Sequence, residues 1–315
     1  MTGEHAVVYD AAAIVVAIDL HAHTKIGLRS DKKFSINLKD LNLQESISIS
    51  NRVLTEIRPK NDQLLPIWQI LSTIYKTHEL TNGLNIEVWS DIPVGVGLGS
   101  SAAIAVATAA ALDSLFELHL GLDSISQLAY EGEKVTHGTP SGIDNAISTH
   151  GGAILFKKRK INRIEIPFEI PLLIINSGIS RTTKTQVSHV KHQFQLHPII
   201  FKHVFNAIDA ISLKVDHVLR TQKIDVLGEL MDYNQHLLQT LGVSTKELNS
   251  LIDLAKSNGA LGAKLTGAGG GGCIIALFDA ESTKKQCINQ LQLRNIEFFD
   301  TKISQFGVQI HHTLK

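Results

Sequence analysis

Apolar residues recur along this chain with two different spacings, and each spacing predicts a different kind of element. Short stretches such as 84–90 alternate between apolar and polar residues, which is typical of half-buried strands. Longer stretches carry an apolar residue every three or four positions, which is typical of amphipathic helices. Such helices are predicted at 66–80, 124–136, 200–218, 227–238 and 245–257. Strands interspersed with helices, with hairpins rather than strict strand–helix–strand alternation, predict the α+β class.

The second half of the chain carries a predicted domain boundary and the predicted final strands. A length of 315 residues suggests about two domains, and a buried strand at 171–177 places the boundary just before it. The predicted domains are therefore residues 1–170 and 171–315. The last strands are predicted at 298–299 and 308–311.

Composition limits which binding partners and which cellular location are expected for this chain. Apolar residues make up 43% of the chain and charged residues 19%, so a sizeable core is expected. Lys and Arg total 30, and so do Asp and Glu; hence neither nucleic acid nor a membrane is expected as a partner. Cys273 and Cys287 lack a metal-binding spacing, which fits a reducing compartment. No apolar run is long enough to span a membrane and no signal-peptide pattern is found, so a cytoplasmic location is expected.

A glycine-rich stretch, 91–112, runs into two serines and an alanine-rich helix. Glycines at 95, 97 and 99 let backbone N–H groups approach an anion closely, and the helix start adds unpaired N–H groups and a positive dipole end. An ordinary strand-to-helix turn would not need glycine at alternate positions followed by Ser100 and Ser101. The stretch therefore favours a cradle for a di- or triphosphate.

Two acidic residues follow this cradle. Glu133 lies near a predicted helix end, and Asp144 lies 11 residues later in the first turn of the next helix. This placement can bring both carboxylates towards one cleft, where one would hold Mg²⁺ and the other would orient a hydroxyl group. Ser101 offers a hydroxyl group to the same metal. The chain has a second glycine-rich stretch at 266–272. Neither stretch contains the Gly-Lys-Ser/Thr of a Walker A motif, and the first also lacks the third glycine of the dinucleotide-binding fingerprint.

Three segments together, 93–102, 137–145 and 264–273, resemble the GHMP kinases. Within that family, the opening segment 3–9, which begins with Gly-Glu-His, resembles the mevalonate kinases. Segments 179–184 and 231–236 do so as well, and the later segments look most like animal members. The resemblance implies a fold with an N-terminal domain like ribosomal protein S5 domain 2 and a C-terminal ferredoxin-like domain. Residues 1–170 would then bind ATP and substrate, and 171–315 would be the C-terminal GHMP kinase domain.

The resemblance also implies the roles of individual residues. Asp144 would be the catalytic base, and Ser101 and Glu133 would hold Mg²⁺. The ATP-binding residues would be Ser90, Gly95, Val96, Gly97, Leu98, Gly99, Ser100 and Ser101. The mevalonate-binding residues would be Glu4, His5 and Thr183. The loop that closes the active site would include Gly267, Ala268, Gly269 and Gly270.

The implied activity is ATP-dependent phosphorylation of mevalonate to 5-phosphomevalonate, in isoprenoid and sterol or lipid metabolism. Inhibition by isoprenoid diphosphates is a further expectation, and a homodimer stays open. Mevalonate kinases carry a lysine in a Pro-Gly-Lys segment directly before Gly-Glu-His, whereas Met1 and Thr2 precede Gly3 here. The alternative is therefore a non-catalytic or weakly active relative that binds mevalonate or nucleotide. A phosphomevalonate or homoserine kinase ranks third, because the opening and residues 181–183 argue against it.

Overall fold

The computed structural model describes residues 1–48, 54, 57–93, 95–137, 141–158, 160–166, 168–180 and 183–312. Its strands are β1 (Ala13–Val16), β2 (Ala22–Arg29), β3 (Lys33–Leu38), β4 (Leu43–Ser48), β5 (Gly83–Ser90), β6 (Ala153–Lys157), β7 (Lys160–Ile164), β8 (Leu172–Asn176), β9 (Gly262–Leu265), β10 (Cys273–Leu277) and β11 (Phe298–Thr301). Its α-helices are α1 (Leu65–Thr77), α2 (Ser100–Leu115), α3 (Leu122–His137), α4 (Ile143–His150), α5 (Thr183–Leu196), α6 (Pro198–Thr221), α7 (Ile224–Thr240), α8 (Lys246–Ser257) and α9 (Glu281–Leu293). Across these described ranges, no helix combines the length and apolarity that a membrane span needs.

The described residues group into two compact units that are interleaved along the chain. The first unit takes residues 1–19, 95–98 and 152–305, and the second takes 20–93, 99–151 and 306–312. The second unit contains one sheet and one buried apolar cluster, and the first unit contains two sheets and two such clusters. The domain boundary predicted between residues 170 and 171 stays a prediction.

The second unit is built on one four-stranded sheet with helices packed against it. The strand order is β2-β5-β3-β4, in which β3 and β5 are parallel and the other neighbours are antiparallel. Ser90, the last residue of β5, lies opposite Ala22. Apolar side chains of α1, α2 and the sheet form the core, and Phe34, Leu71 and Ile86 lie at its centre.

The first unit contains two antiparallel sheets, β11-β8-β10-β9 and β1-β6-β7. Strand β1 comes from the start of the chain and pairs with β6, with Ala13 opposite Phe156. Apolar side chains of α6, α7 and α8 pack with β8, β9 and β10 in one core. The second glycine loop, residues 266–272, connects β9 to β10, which are antiparallel neighbours. That loop is therefore anchored at both ends by buried strands.

The apolar spacing predicts the long helices well and the end of the chain badly. Helices α1, α3, α6, α7 and α8 lie where they are predicted, with differences at their ends, and the α+β class is confirmed. The strand predicted at 298–299 is found as β11, but the strand predicted at 308–311 is wrong. Residues 308–311 run past the end of α4, where the N–H of Val308 donates to the Thr149 carbonyl at 3.2 Å. An alternating apolar pattern cannot distinguish this arrangement from a strand.

Helix α7 lies very close to the segment that leads into β9. A Cβ atom on Gly228 would lie 2.7 Å from the Leu261 carbonyl carbon, and one on Gly262 would lie 2.2 Å from the Gly228 oxygen. Only hydrogen atoms fit at these two positions, because the obstacles are backbone atoms that cannot rotate away. This close contact fixes the position of α7 relative to β9, the strand that precedes the second glycine loop.

Gly228→Ala is expected to destabilise the protein by about 1–3 kcal/mol, because the added methyl group overpacks a backbone contact. The better helix propensity of alanine offsets only part of that cost. Urea unfolding measures the change. Gly121→Ala is the matched control, since a Cβ there meets no atom within 4 Å. Equal stabilities of the two variants would contradict the expected overpacking.

Candidate active site

The first turn of α2 presents a glycine, two serines and a helix N-terminus. Gly99 precedes the helix with a φ of 78° and a ψ of 20°, a left-handed conformation that residues with a Cβ rarely adopt. Gly95 and Gly97 have φ values of 79° and 80°. This shared conformation explains why glycine recurs at alternate positions. Ser101 is exposed, so its hydroxyl group is open to a ligand.

Ser90 is linked to this helix start within the second unit. Its Oγ lies 3.4 Å from the Ser100 Oγ, and its N–H donates to the Asp40 Oδ2 at 2.7 Å. The end of β5 and the first turn of α2 are thereby placed side by side. Resemblance alone assigns Ser90 to ATP binding, and that assignment stays a prediction.

Glu133 and Asp144 lie on helices that pack against α2 and against each other. Glu133 is on α3, Asp144 is in the first turn of α4, and α2, α3 and α4 are in mutual contact. A Cβ atom on Gly99 would lie 3.8 Å from both Cβ and Cγ of Asp144. The Asp144 side chain therefore lies beside the start of α2, where the phosphate cradle is predicted.

The two carboxyl groups have different surroundings. Asp144 is exposed, whereas Glu133 is only 6% exposed. Burial raises the pKa of Glu133 from 4.5 to about 7; the nearby Asp144 adds to the rise, and Asn145 partly opposes it. Asn145 is fully buried, and neither polar atom of its amide has a well-formed hydrogen bond among the described residues. The ionised form of Glu133 would therefore be favoured by a cation at this position.

These residues fit Mg²⁺ by their chemistry. Mg²⁺ takes oxygen ligands and is commonly held by one or two carboxylates, with phosphate and water oxygens completing its shell. A hydroxyl group on α2 and a buried carboxyl group on the adjacent α3 supply such oxygens. In the described ranges, no group of three or more His, Cys, Asp or Glu side chains is arranged to hold a metal ion.

The predicted substrate residues Glu4 and His5 belong to the first unit. His5 has a φ of 60° and a ψ of −46°, which is an uncommon backbone conformation for a non-glycine residue. Its Nε2 lies 2.8 Å from the carbonyl oxygen of Ala268. Since a carbonyl can only accept, Nε2 is the protonated nitrogen in this contact. His5 is thus hydrogen-bonded directly to the loop of residues 267–270.

The loop of residues 267–270 also contacts the chain after α7. The N–H of Gly270 donates to the Val243 carbonyl at 2.8 Å. A Cβ atom on Gly269 would lie only 2.3 Å from that same oxygen, so glycine is required there. The loop therefore has a defined path in the structure, and its closure over an active site stays a prediction.

Several predicted positions are placed less completely. Thr183 is the first residue of α5 and is exposed, but the preceding Arg181 and Thr182 lie outside the described residues. Gly138, Thr139 and Pro140 of the 137–145 motif also lie outside them. The rest of that motif leads into α4, where Gly142 precedes the helix with a φ of 78°.

Sequence reasoning missed three side chains that contact the predicted ones: Asn145, Asn234 and Lys264. Lys264 stands in a strand whose residues are all buried, and it pairs with Glu4. A lysine inside an otherwise apolar stretch next to a glycine loop was a usable signal, because lysine is almost never fully buried without a partner. Nothing in the pattern indicated that the partner would be Glu4, since it lies 260 residues earlier in the chain.

Comparison with known proteins shows the family of this chain. Residues 66–152 match the family model of the GHMP kinases N terminal domain, and residues 217–296 match that of the GHMP kinases C terminal. A mevalonate kinase of Pyrococcus furiosus is 34% identical, over 99% of this chain and 96% of its own. A mevalonate kinase of Bos taurus is 30% identical, over 98% of this chain and 92% of its own. The crystal structure of L. major mevalonate kinase in complex with R-mevalonate is similar with a TM-score of 0.82, at 25% identity over 96% of this chain and 92% of that one. The chain belongs to the GHMP kinase family.

Glu133→Gln is expected to stabilise the ligand-free protein at pH 8 and to have little effect at pH 5. The unfolded carboxyl group loses its proton near pH 4.5, whereas the folded one keeps it until about pH 7, so the wild-type protein loses stability as the pH rises through this window. The full loss in the free energy of unfolding is about 3 kcal/mol, and the uncharged amide of the glutamine variant avoids this loss.

Urea unfolding at both pH values, in EDTA, measures this difference. Glu131→Gln is the control, because Glu131 is partly exposed and its partners, Lys134 and Gln127, lie on the surface of the same helix. A Glu133→Gln effect of the same size at pH 5 and pH 8 would contradict the assigned burial cost.

Proposed function

We propose that this chain catalyses the ATP-dependent phosphorylation of mevalonate to 5-phosphomevalonate in the mevalonate pathway. The similarity to mevalonate kinases at 30–34% identity, over 98–99% of this chain, carries the proposal. The structure supports it by bringing Ser101, Glu133 and Asp144 onto three helices in mutual contact. A phosphate-binding helix start, an oxygen donor set and an acid beside them are what phosphoryl transfer to an alcohol needs.

In this proposal, Asp144 is the catalytic base. The oxygen of the 5-hydroxyl group forms a bond to the γ-phosphorus of ATP, the bond from that phosphorus to the β,γ-bridging oxygen breaks, and ADP leaves. The hydroxyl proton passes to the Asp144 carboxylate. An aspartate with an ordinary pKa of about 3.9 is a weak base for an alcohol. A loose transition state asks little of the nucleophile, so Asp144 mainly orients the hydroxyl group and accepts its proton late.

The phosphates of ATP are assigned to the first glycine loop and the start of α2. The N–H groups of the first helical turn and the helix dipole favour an anion there. Ser101 and Glu133 would hold Mg²⁺, which neutralises charge on the transferred group when it is bound. The exposed hydroxyl group of Ser101 and the buried carboxyl group of Glu133 support this assignment.

Mevalonate is assigned to the Gly-Glu-His segment and to the start of α5. His5 supports this because it is held in an uncommon conformation by a contact with the second glycine loop. Thr183 is exposed at the first position of α5. A cytoplasmic location is proposed from the two free, buried cysteines, and a place in sterol or lipid metabolism from the family. A homodimer remains an open part of the proposal.

Asp144→Ala is expected to lower the turnover of mevalonate by about 10²–10⁴-fold while ATP binding persists, because a positioned base is lost and the phosphate cradle is kept. Release of ADP, measured with mevalonate and Mg²⁺-ATP, checks the first part, and equilibrium binding of ATP checks the second. A panel of other hydroxyl substrates, including homoserine and phosphomevalonate, tests the choice of acceptor.

Asp123→Ala is the matched control, since Asp123 is also an exposed aspartate in the first turn of a helix in the same unit. Unchanged turnover in the Asp144 variant would contradict its role as the base. A wild-type protein that binds ATP and turns over no mevalonate would instead establish the non-catalytic alternative.

Isoprenoid diphosphates are proposed to inhibit by competing with ATP for the same cradle. A diphosphate group would use the N–H groups at the start of α2, so farnesyl diphosphate is expected to raise the KM for ATP and to leave kcat unchanged. Steady-state rates at several ATP concentrations measure this. Farnesol, which lacks the diphosphate, is the control, and a rate independent of added farnesyl diphosphate would exclude the competition.

A further inference from the structure

Lys264 is a buried charged residue to which the chemistry above gives no role. It lies on β9, and its side chain is completely shielded from solvent. An ammonium group at such a depth is tolerated only with a charged partner and good hydrogen bonds. Its charged partner is Glu4, and Lys264 lies in the strand that leads into the second glycine loop.

Both carboxylate oxygens of Glu4 are occupied by this buried cluster. Oε1 accepts from the Lys264 Nζ, and Oε2 accepts from the Asn234 Nδ2 at 3.1 Å. The Lys264 Nζ also donates to the Leu265 carbonyl at 2.7 Å. The Glu4 side chain is only 9% exposed. It is therefore committed to the interior rather than pointing at a ligand.

The charges of the pair stabilise each other. Burial lowers the pKa of Lys264, and the Glu4 carboxylate opposes that change. Burial would also raise the pKa of Glu4, but the ammonium groups of Lys264 and of the N-terminus together outweigh it and keep that pKa below its usual range. Removing one partner would leave the other as an uncompensated buried charge, so a test must also include removal of both.

The cluster is joined to the predicted substrate residue in two ways. His5 follows Glu4 directly, so fixing the Glu4 side chain limits where the His5 backbone can lie. The His5 Nε2 then bonds to Ala268, four residues after Lys264. Glu4 and Lys264 therefore hold together the same two segments that His5 connects.

We propose that Glu4 and Lys264 are positioning residues, whose buried ion pair holds His5 against the second glycine loop and thereby sets the affinity for mevalonate. This inference rests on the proposed function, because it takes His5 as a substrate-binding residue. It assigns Glu4 to positioning rather than to direct contact with substrate.

The test compares Lys264→Met, the double variant Glu4→Gln/Lys264→Met and Lys284→Met. The double variant removes both charges together, so it folds where the single variant leaves a buried carboxylate unpaired. Lys284 is the matched control: its side chain is 4% exposed, but its partners Glu281 and Asp300 are 59% and 48% exposed, on the surface of the same unit. Its replacement removes a buried lysine without touching the Gly-Glu-His segment.

The double variant is expected to raise the KM for mevalonate by about 10–100-fold, because a small displacement of a binding group has effects of that size. Its kcat is expected to change much less. The KM for ATP is expected to stay the same, because Glu4 and Lys264 form hydrogen bonds with each other, with Asn234 and with Leu265, and none of these residues is assigned to ATP. Lys284→Met is expected to lower the melting temperature and to change neither KM. A folded double variant with the wild-type KM for mevalonate would overturn the inference.

Hydrogen exchange separates this inference from the proposed function. The amides of residues 266–272 are expected to exchange faster in the double variant than in the wild-type protein and in Lys284→Met. Wild-type protection of this loop in the double variant would overturn the positioning role, whatever the substrate. A wild-type protein without mevalonate turnover would refute the proposed function alone, and the exchange result would still decide whether the ion pair holds the loop.

Discussion

The candidate site in the second unit depends on how helix α2 is packed. Seven of its residues are buried, most of them alanine or other small residues, and it contacts α1, α3, α4 and β2. A helix that is apolar on most of its sides must be surrounded by other elements. Small side chains let those neighbours come close, which brings the acids of α3 and α4 near its first turn. Ser100 and Ser101 at the start of the helix are not buried, and the dipole favours an anion there.

Two of the buried ionisable residues, Lys264 and Glu133, have opposite surroundings. Lys264 has a carboxylate partner within its own unit and needs nothing else. Glu133 has another carboxyl group as its neighbour; burial, and to a smaller extent this neighbour, raise its pKa to about 7. A protein rarely keeps such a group unless a ligand compensates it, because the unpaired charge costs stability. The first pair is complete in the folded chain, whereas the proposed Mg²⁺ would supply the opposite charge for Glu133.

What the sequence could predict follows from the range of each interaction. The glycines at 95, 97 and 99, the serines after them and Asp144 form local motifs, and their spacing follows from backbone geometry alone. Helical periodicity is equally local, which is why α6 and α8 lie where they are predicted. The Glu4–Lys264 pair and the burial of Glu133 depend on tertiary packing and could not be obtained this way. The misassigned strand at 308–311 has the same cause, since its hydrogen bonds go to the end of α4.

The interleaving of the two units also orders events during synthesis. Strand β1 is made early, but its partner β6 begins only at Ala153, and Glu4 must wait for Asn234 and Lys264. At about 5–20 residues per second, a ribosome needs roughly tens of seconds to cover that interval. The sheet and helices of residues 20–151 emerge completely within it. The Gly-Glu-His segment thus leaves the ribosome well before Asn234 and Lys264 are made, and it reaches its contacts with them late.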